Sequence, residues 1–131
     1  MGDYLMSIIK ANDIQNASGG IPTVKGQKLI PTAWVTFNGT NTVSVKDSEN
    51  VSSISDLGTG IYRVNFAVNM ANANYCIQGS NIGSLAPNYY SFIAANNAAP
   101  LVTGIAVQVI RYDAVISDMS HVNVTVMGGQ S

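Results

Sequence analysis

The chain has 131 residues, which is enough for one domain with a single core. Charged residues make up 10% of it and the net charge is −1, whereas an ordinary soluble domain has about 25% charged residues. This composition excludes the basic field that holds nucleic acid or an anionic membrane surface. Hydrophobic residues reach 47%, so the chain is not an intrinsically disordered one either.

The single cysteine, Cys76, excludes an intrachain disulfide. Residues 1–15 lack the cationic stretch and the apolar run of a signal peptide. No segment approaches the roughly 20 apolar residues that a membrane helix needs. We therefore expect a protein that is made in a reducing compartment and does not insert into a membrane.

Residues 1–31 have the pattern of an extended N-terminal arm. An alternating stretch over 6–14 runs into a flexible breaker at 16–20, and two prolines and a glycine follow between residues 21 and 31. Three of the four lysines lie in this arm, which gives it a local positive excess.

From residue 32 the pattern becomes that of short β-strands. A strand over 33–37 ends at the turn Asn38-Gly39, and further strands are predicted over 42–46 and, after a polar turn at 47–50, over 51–55. The clearest strand covers 61–70, because every second residue from Tyr62 to Met70 is apolar.

Four more strands are predicted over 75–80, 89–94, 103–112 and 122–127. Seven or eight short strands at a spacing of roughly 8–12 residues are typical of an antiparallel sandwich or barrel. The prediction is an all-β fold, a jelly-roll-like antiparallel β-sandwich over residues 32–131 that carries the arm at its N-terminus.

Side chains that could carry chemistry are few and scattered. His121 is the only histidine and begins the last strand, and Cys76 lies within a strand, where a buried and inert thiol is expected. The acidic turn at 47–50 lacks the glycine and the terminal glutamate of a calcium-binding loop. We therefore assign no catalytic residue, no metal and no cofactor, and we expect that the chain is not an enzyme.

Two pairs of aromatic residues indicate surfaces beyond the core. Trp34 and Phe37 are three positions apart on one strand, and Tyr89 and Tyr90 are adjacent, so the members of each pair point to opposite faces. One member of each pair is expected in the core, and the other is available to a partner or to a second chain. Tyrosine beside asparagine and serine is typical of loops that bind carbohydrate or protein; ordinary edge positions are the alternative.

Several blocks, in order, resemble a family of phage virion proteins. Residues 33–43, AWVTFNGTNTV, resemble the family's AWVNFNGTGTV block, and residues 50–62, NVSSISDLGTGIY, resemble its NVSSITDNGTGDY block. VNF at 64–66 and ANY at 73–75 fit the continuation, and the arm is similar to the leader of the short members. Ile61 replaces the family's aspartate and Ala71 its proline. Members are tail fibre or receptor-binding proteins, frequent in phages of aquatic bacteria.

The resemblance implies a structural virion protein that is made in the cytoplasm of the host bacterium. It implies association with itself, as a homotrimer, and contact with a glycan or protein of the host surface. It also implies attachment to other virion proteins through the arm, for which the candidate residues are Ile8, Ile9, Lys10, Ile14, Val24, Lys25 and Lys28.

Specificity for a receptor is expected within residues 81–118, which no family block matches. The candidate receptor-binding residues there are Asn81, Asn88, Tyr89, Tyr90, Asn96 and Asn97. The alternative is a purely architectural role, as a capsid decoration or a tail knob or adaptor, because an arm of this length is short for a fibre shaft. A glycan-degrading tailspike is disfavoured, since such enzymes need paired carboxylates and acidic residues are sparse.

Overall fold

The structure, a computed structural model, describes residues 15, 17–19, 30–82, 91–95 and 98–130, with 91–95 described by their backbone. These residues contain eight strands and no helix. The strands are β1 (Ala33–Asn38), β2 (Ser44–Glu49), β3 (Val51–Gly58), β4 (Ile61–Phe66), β5 (Tyr75–Ile82), β6 (Ser91–Ala95), β7 (Gly104–Arg111) and β8 (His121–Gly128). The all-β fold predicted from the sequence is confirmed.

Two four-stranded antiparallel sheets form the sandwich. Sheet I has the order β2-β1-β8-β5, and sheet II has the order β3-β4-β7-β6. The first and last strands pair in the middle of sheet I, and β4 pairs with β7 in the middle of sheet II. The predicted antiparallel β-sandwich is therefore confirmed, with β1 and β8 central in one sheet and β4 and β7 central in the other.

Alternating residues of the central strands build the core between the sheets. β1, β4 and β8 each alternate between fully buried and half-buried positions, as expected where one face of a sheet is covered. Phe37 is buried and its ring meets that of Tyr62 edge to face, with centroids 5.0 Å apart. Trp34 lies half-buried on the opposite face of β1, so the prediction that this aromatic pair divides between core and surface is confirmed.

The predicted strand over 61–70 is too long. β4 ends at Phe66, and Val68 is 70% exposed although the alternation places it on the core face. The chain bends after Phe66, whose N–H donates to the carbonyl of Thr103, and the N–H of Met70 donates to the carbonyl of Val102. Met70 is therefore buried by a turn that folds back against the neighbouring loop, and its place in the alternation is a coincidence.

Two other local predictions are wrong. Residues 47–49 form the second half of β2, an edge strand whose polar side chains face solvent, and only Asn50 makes the turn into β3, with φ of 52°. Cys76 is exposed, because it lies on the outer face of the edge strand β5.

Candidate functional site

The strand directions give the sandwich two distinct ends. The chain enters β1 at Thr32, and Asn50, residues 67–74, Thr103 and the C-terminal segment 129–130 lie at this same end, which we call the proximal end. The opposite, distal end carries the connections 39–43 and 59–60 and the loop 112–120, and β5 also ends there at Ile82.

Three distal connections converge on the hydroxyl of Tyr62. This hydroxyl lies 2.7 Å from Oδ1 of Asp118 and 2.9 Å from the carbonyl oxygen of Gly39. The same carboxylate oxygen accepts the N–H of Gly60 at 2.6 Å, and the N–H of Gly39 donates to the carbonyl of Met119 at 2.9 Å. Burial, followed by the hydrogen bond to Asp118 and its charge and then the charge of Asp56, raises the pKa of Tyr62.

Two glycines make this convergence possible. A Cβ at Gly39 would overlap the hydroxyl of Tyr62, so the close approach requires glycine at this position. Gly60 has φ of +65°, and a Cβ there would collide with the backbone of Ser117. The distal end is therefore a fixed scaffold held by contacts between residues that are far apart in sequence.

An exposed turn over residues 112–115 follows β7 at the distal end, next to this scaffold. The N–H of Arg111 donates to the carbonyl of Val115, the N–H of Ala114 donates to the carbonyl of Arg111, and Ala114 has φ of 62°. Nη2 of Arg111 contacts Oδ2 of Asp113 at 2.8 Å, which braces the turn from the side. Tyr112 and Val115 remain exposed on it, at 62% and 47%. The turn thus presents an aromatic ring and a branched aliphatic side chain on a hydrogen-bonded base.

A polar corner joins β2 to β8 and β5 at the same end. Nζ of Lys46 donates to the carbonyl of Ser120 at 3.0 Å and lies 2.7 and 2.9 Å from the two ring nitrogens of His121. The hydroxyl of Ser120 donates to the carbonyl of Ile82 at 3.1 Å. Lys46 reaches this corner because it is the extra residue of a bulge in β2, between the partners of Thr36 and Phe37.

Side-chain hydrogen bonds of Asn50, Thr32 and Tyr75 connect separate segments of the chain at the proximal end. Nδ2 of Asn50 donates to the carbonyl of Thr32 at 2.9 Å, and its Oδ1 accepts the N–H of Val68 at 2.7 Å. Thr32 is itself fully buried, with its N–H and hydroxyl both within 3.1 Å of the carbonyl oxygen of Val126. The hydroxyl of Tyr75 lies 2.9 Å from the carbonyl oxygen of Leu101, and burial raises its pKa. The point at which the arm joins the sandwich is therefore fixed.

Three adjacent strands of sheet I carry no charged residue of their own, and the charged residues described beside them belong to β2, with Lys46 next to His121 at the distal end. β1, β8 and β5 contain no Asp, Glu, Lys or Arg. The hydroxyl of Thr36 donates to Oδ1 of Asn123 at 2.9 Å, and Nδ2 of Asn123 donates to the hydroxyl of Ser80 at 3.1 Å. This hydrogen-bonded row crosses β1, β8 and β5.

The structure describes one of the predicted receptor-binding residues. Asn81 is half-buried near the distal end of β5. Five others lie outside the described residues: Asn88, Tyr89, Tyr90, Asn96 and Asn97. The described strand β6 itself runs from the distal to the proximal end.

All of the predicted attachment residues lie outside the described part of the arm, namely Ile8, Ile9, Lys10, Ile14, Val24, Lys25 and Lys28. The structure adds two residues, Tyr112 and Val115, to the candidates for contact with a partner, and the sequence analysis did not identify them. The β-branched run over 103–112 concealed them, since it predicts that Tyr112 is the last residue of a strand. The Asp113-Ala114 pair after it is the available signal for a turn.

Within the described ranges, no group of three His, Cys, Asp or Glu side chains is placed to hold a metal ion. The same part of the chain contains no helix that is long and apolar enough to cross a membrane. No family model matches the chain, and neither the curated proteins nor the solved structures contain a match.

Proposed function

We propose that the chain is a phage virion protein, a tail-fibre or receptor-binding module whose distal end contacts the host surface. The observation that carries the proposal is the exposed turn with Tyr112 and Val115, which lies at the end opposite to the one where the arm joins. An arm anchored in the virion would direct this turn away from the particle.

The division of the sequence into blocks supports this arrangement. Gly39, Gly60 and Tyr62 lie in the blocks that resemble phage virion proteins, and they form the distal scaffold. Tyr112 and Val115 lie in the segment that no block matches. Binding residues are commonly placed on variable loops that a rigid scaffold positions, and a tyrosine provides stacking area and a hydroxyl with little loss of entropy. The ligand class is a glycan or a protein of the host surface, bound without cofactor and without catalysis.

The outer face of sheet I over β1, β8 and β5 supports association between copies. Bringing identical charged faces together would cost free energy, whereas amide and hydroxyl groups are self-complementary. Because β1, β8 and β5 lack charged residues, this face is the surface that we assign to the homotrimer contact.

The test is adsorption of the purified, labelled protein to cells of the host, with competition against the phage. Tyr112→Ala is expected to reduce adsorption about ten-fold or more, as a central aromatic contact does. Val68→Ser is the matched control, because Val68 is an exposed apolar residue at the proximal end. Loss of adsorption with Val68→Ser alone would contradict the proposed orientation.

The alternative, an architectural role, is decided by the position of the chain in a reconstruction of the virion. A position on the capsid lattice supports a decoration protein and overturns the host-contact proposal. A tail position with Tyr112 directed outward supports host contact.

A further inference from the structure

The pair Asn38-Gly39, at the end of β1, is the one place in the chain where an asparagine precedes a glycine. Asparagine is among the thermolabile residues of proteins. A following glycine favours its deamidation, because no Cβ obstructs the approach of the glycine nitrogen to the side-chain carbonyl carbon. The pair therefore carries an intrinsic hydrolytic reaction, which the fold either permits or blocks.

The side-chain amide of Asn38 is held by Thr40. Its Oδ1 accepts the N–H of Thr40 at 3.1 Å and the hydroxyl of Thr40 at 2.8 Å, and its Nδ2 donates to the carbonyl of Thr40 at 3.2 Å. These three hydrogen bonds use both polar atoms of the amide. The rotation that carries Cγ to the nitrogen of Gly39 requires them to break.

The attacking nitrogen is held as well. Gly39 is buried, and its N–H donates to the carbonyl of Met119 at 2.9 Å. Its carbonyl oxygen lies 2.9 Å from the hydroxyl of Tyr62, which Asp118 fixes in turn. While the distal scaffold is closed, the nitrogen of Gly39 is therefore shielded from solvent base and cannot move toward the side chain of Asn38.

We propose that Asn38 is a latent deamidation site, which the closed distal scaffold keeps inert and which reacts when this scaffold opens. The nitrogen of Gly39 gives its proton to solvent and bonds to Cγ of Asn38. The bond from Cγ to Nδ2 breaks, and Nδ2 leaves as ammonia after taking a proton from solvent. Water then opens the succinimide ring at either carbonyl, which leaves aspartate or isoaspartate at position 38. Water is the one co-reactant, and no oxidant or reductant takes part.

The product prevents the scaffold from closing as before. Isoaspartate leads the backbone through Cγ and adds one carbon before Gly39, so Gly39 no longer fits between Met119 and Tyr62. Aspartate replaces Nδ2 with an oxygen that cannot donate to the carbonyl of Thr40. Deamidation thus converts a reversible local opening into a permanent one. This inference concerns the chemical durability of the distal end and does not rest on the proposed function.

Deamidation is measured on the full-length protein by peptide mapping with mass spectrometry, in one mildly alkaline buffer with and without guanidinium chloride. In the unfolded protein, Asn38 is expected to react faster than every other asparagine of the same sample. In the folded protein its rate should be at least about ten-fold lower. Equal rates at Asn38 in the two states would overturn the proposal, as would a rate in the unfolded protein no higher than that of the other asparagines.

Two variants of the folded protein test the two contacts separately. Asp118→Ala loosens the scaffold, and Thr40→Val removes one hydrogen bond to Asn38 while keeping the shape of the side chain. Each is expected to raise the rate at Asn38 at least about three-fold, because the reaction follows the population of the open form. Thr36→Val is the matched control, since this hydroxyl on the same strand bonds to Asn123.

Circular dichroism establishes that each variant is folded, and Thr40→Val decides the outcome if Asp118→Ala does not fold. An unchanged rate at Asn38 in the folded variants would overturn the proposal. An equal acceleration in Thr36→Val would also overturn it, because general loosening of β1 would then be the cause.

Discussion

The hydroxyl oxygen of Tyr62 lies 2.7 Å from Oδ1 of Asp118, although 56 positions separate the two residues in sequence. This contact joins β4 of sheet II to the loop that leads into β8 of sheet I. The carboxylate also accepts the N–H of Gly60, so one acidic side chain fixes two distal connections. Among the described turns, Asn50 and Asn72 accept backbone N–H groups through neutral amides, and Asp56 accepts one within its own turn; Asp118 differs because it joins two separate connections.

Replacing Asp118 with alanine is expected to lower the free energy of unfolding by about 1–3 kcal/mol, since it leaves the hydroxyl of Tyr62 and the N–H of Gly60 without this acceptor. Urea unfolding followed by far-UV circular dichroism measures the change. Asp113→Ala is the control, because its ion pair with Arg111 is at the surface and is worth about 0–1 kcal/mol. Equal midpoints for the two variants would contradict the structural role of Asp118.

Alkaline pH is expected to destabilise the protein through Tyr62. Its pKa is raised above the ordinary value of 10.0 in the folded state. Above that pH the unfolded chain loses this proton and the folded chain keeps it, so the free energy of unfolding falls as pH rises, by roughly 1 kcal/mol for each pH unit from this group. The stabilisation is fully present below about pH 10.

Tyr62→Phe removes the titrating group and should flatten the pH dependence between about pH 9 and 11, while lowering stability at neutral pH. The measurement is the free energy of unfolding in urea at a series of pH values. The unaltered protein, measured at the same pH values, is the reference, because it keeps the hydroxyl of Tyr62. A slope that stays the same in Tyr62→Phe would show that other groups cause the alkaline loss.

The sequence predicts the strands that lie in the middle of a sheet, because their buried faces impose strict alternation. The buried valines of β8 and the row from Ile105 to Val109 in β7 were expected on these grounds and are buried. The sequence predicts that the second strand ends at Lys46, because the residues after it are polar. β2 continues to Glu49, since an edge strand that faces solvent does not need apolar residues. The predicted strand over 61–70 runs past the end of β4 because Met70 is apolar and fits the alternation. Met70 is buried, but it reaches the core through a bend after Phe66.

The candidate site is less predictable, because it depends on contacts across long sequence separations. Nothing near Asp118 indicates that it accepts a hydrogen bond from Tyr62, and nothing near Gly39 indicates that the ring of Tyr62 needs the space. The Asn38-Gly39 pair predicts a turn at this place, and the residue with positive φ in the connection is Asn41, at 57°. Local rules identify that a turn occurs, whereas the packing of other elements decides which residue must be small.

Asn50 combines a backbone role and a side-chain role, and two substitutions separate them. Asn50→Gly keeps the φ of 52° without strain but loses the hydrogen bonds to Thr32 and Val68. Asn50→Ala loses the hydrogen bonds and also strains the backbone, so it should be less stable than the glycine variant by about 1–2 kcal/mol. The comparison uses urea unfolding midpoints. A glycine variant as stable as the unaltered protein would show that the two hydrogen bonds contribute nothing.

Asn123→Asp tests whether the outer face of sheet I packs between copies. The substitution keeps an oxygen to accept the hydroxyl of Thr36 but places a negative charge in the middle of three strands without charged residues. Burying an unpaired charge is costly, so the proposed homotrimer should dissociate toward monomer, as measured by light scattering. Thr59→Asp is the control, because Thr59 is exposed at the distal end. Unaltered protein that is monomeric, or dissociation to the same extent in both variants, would contradict this assignment of the face.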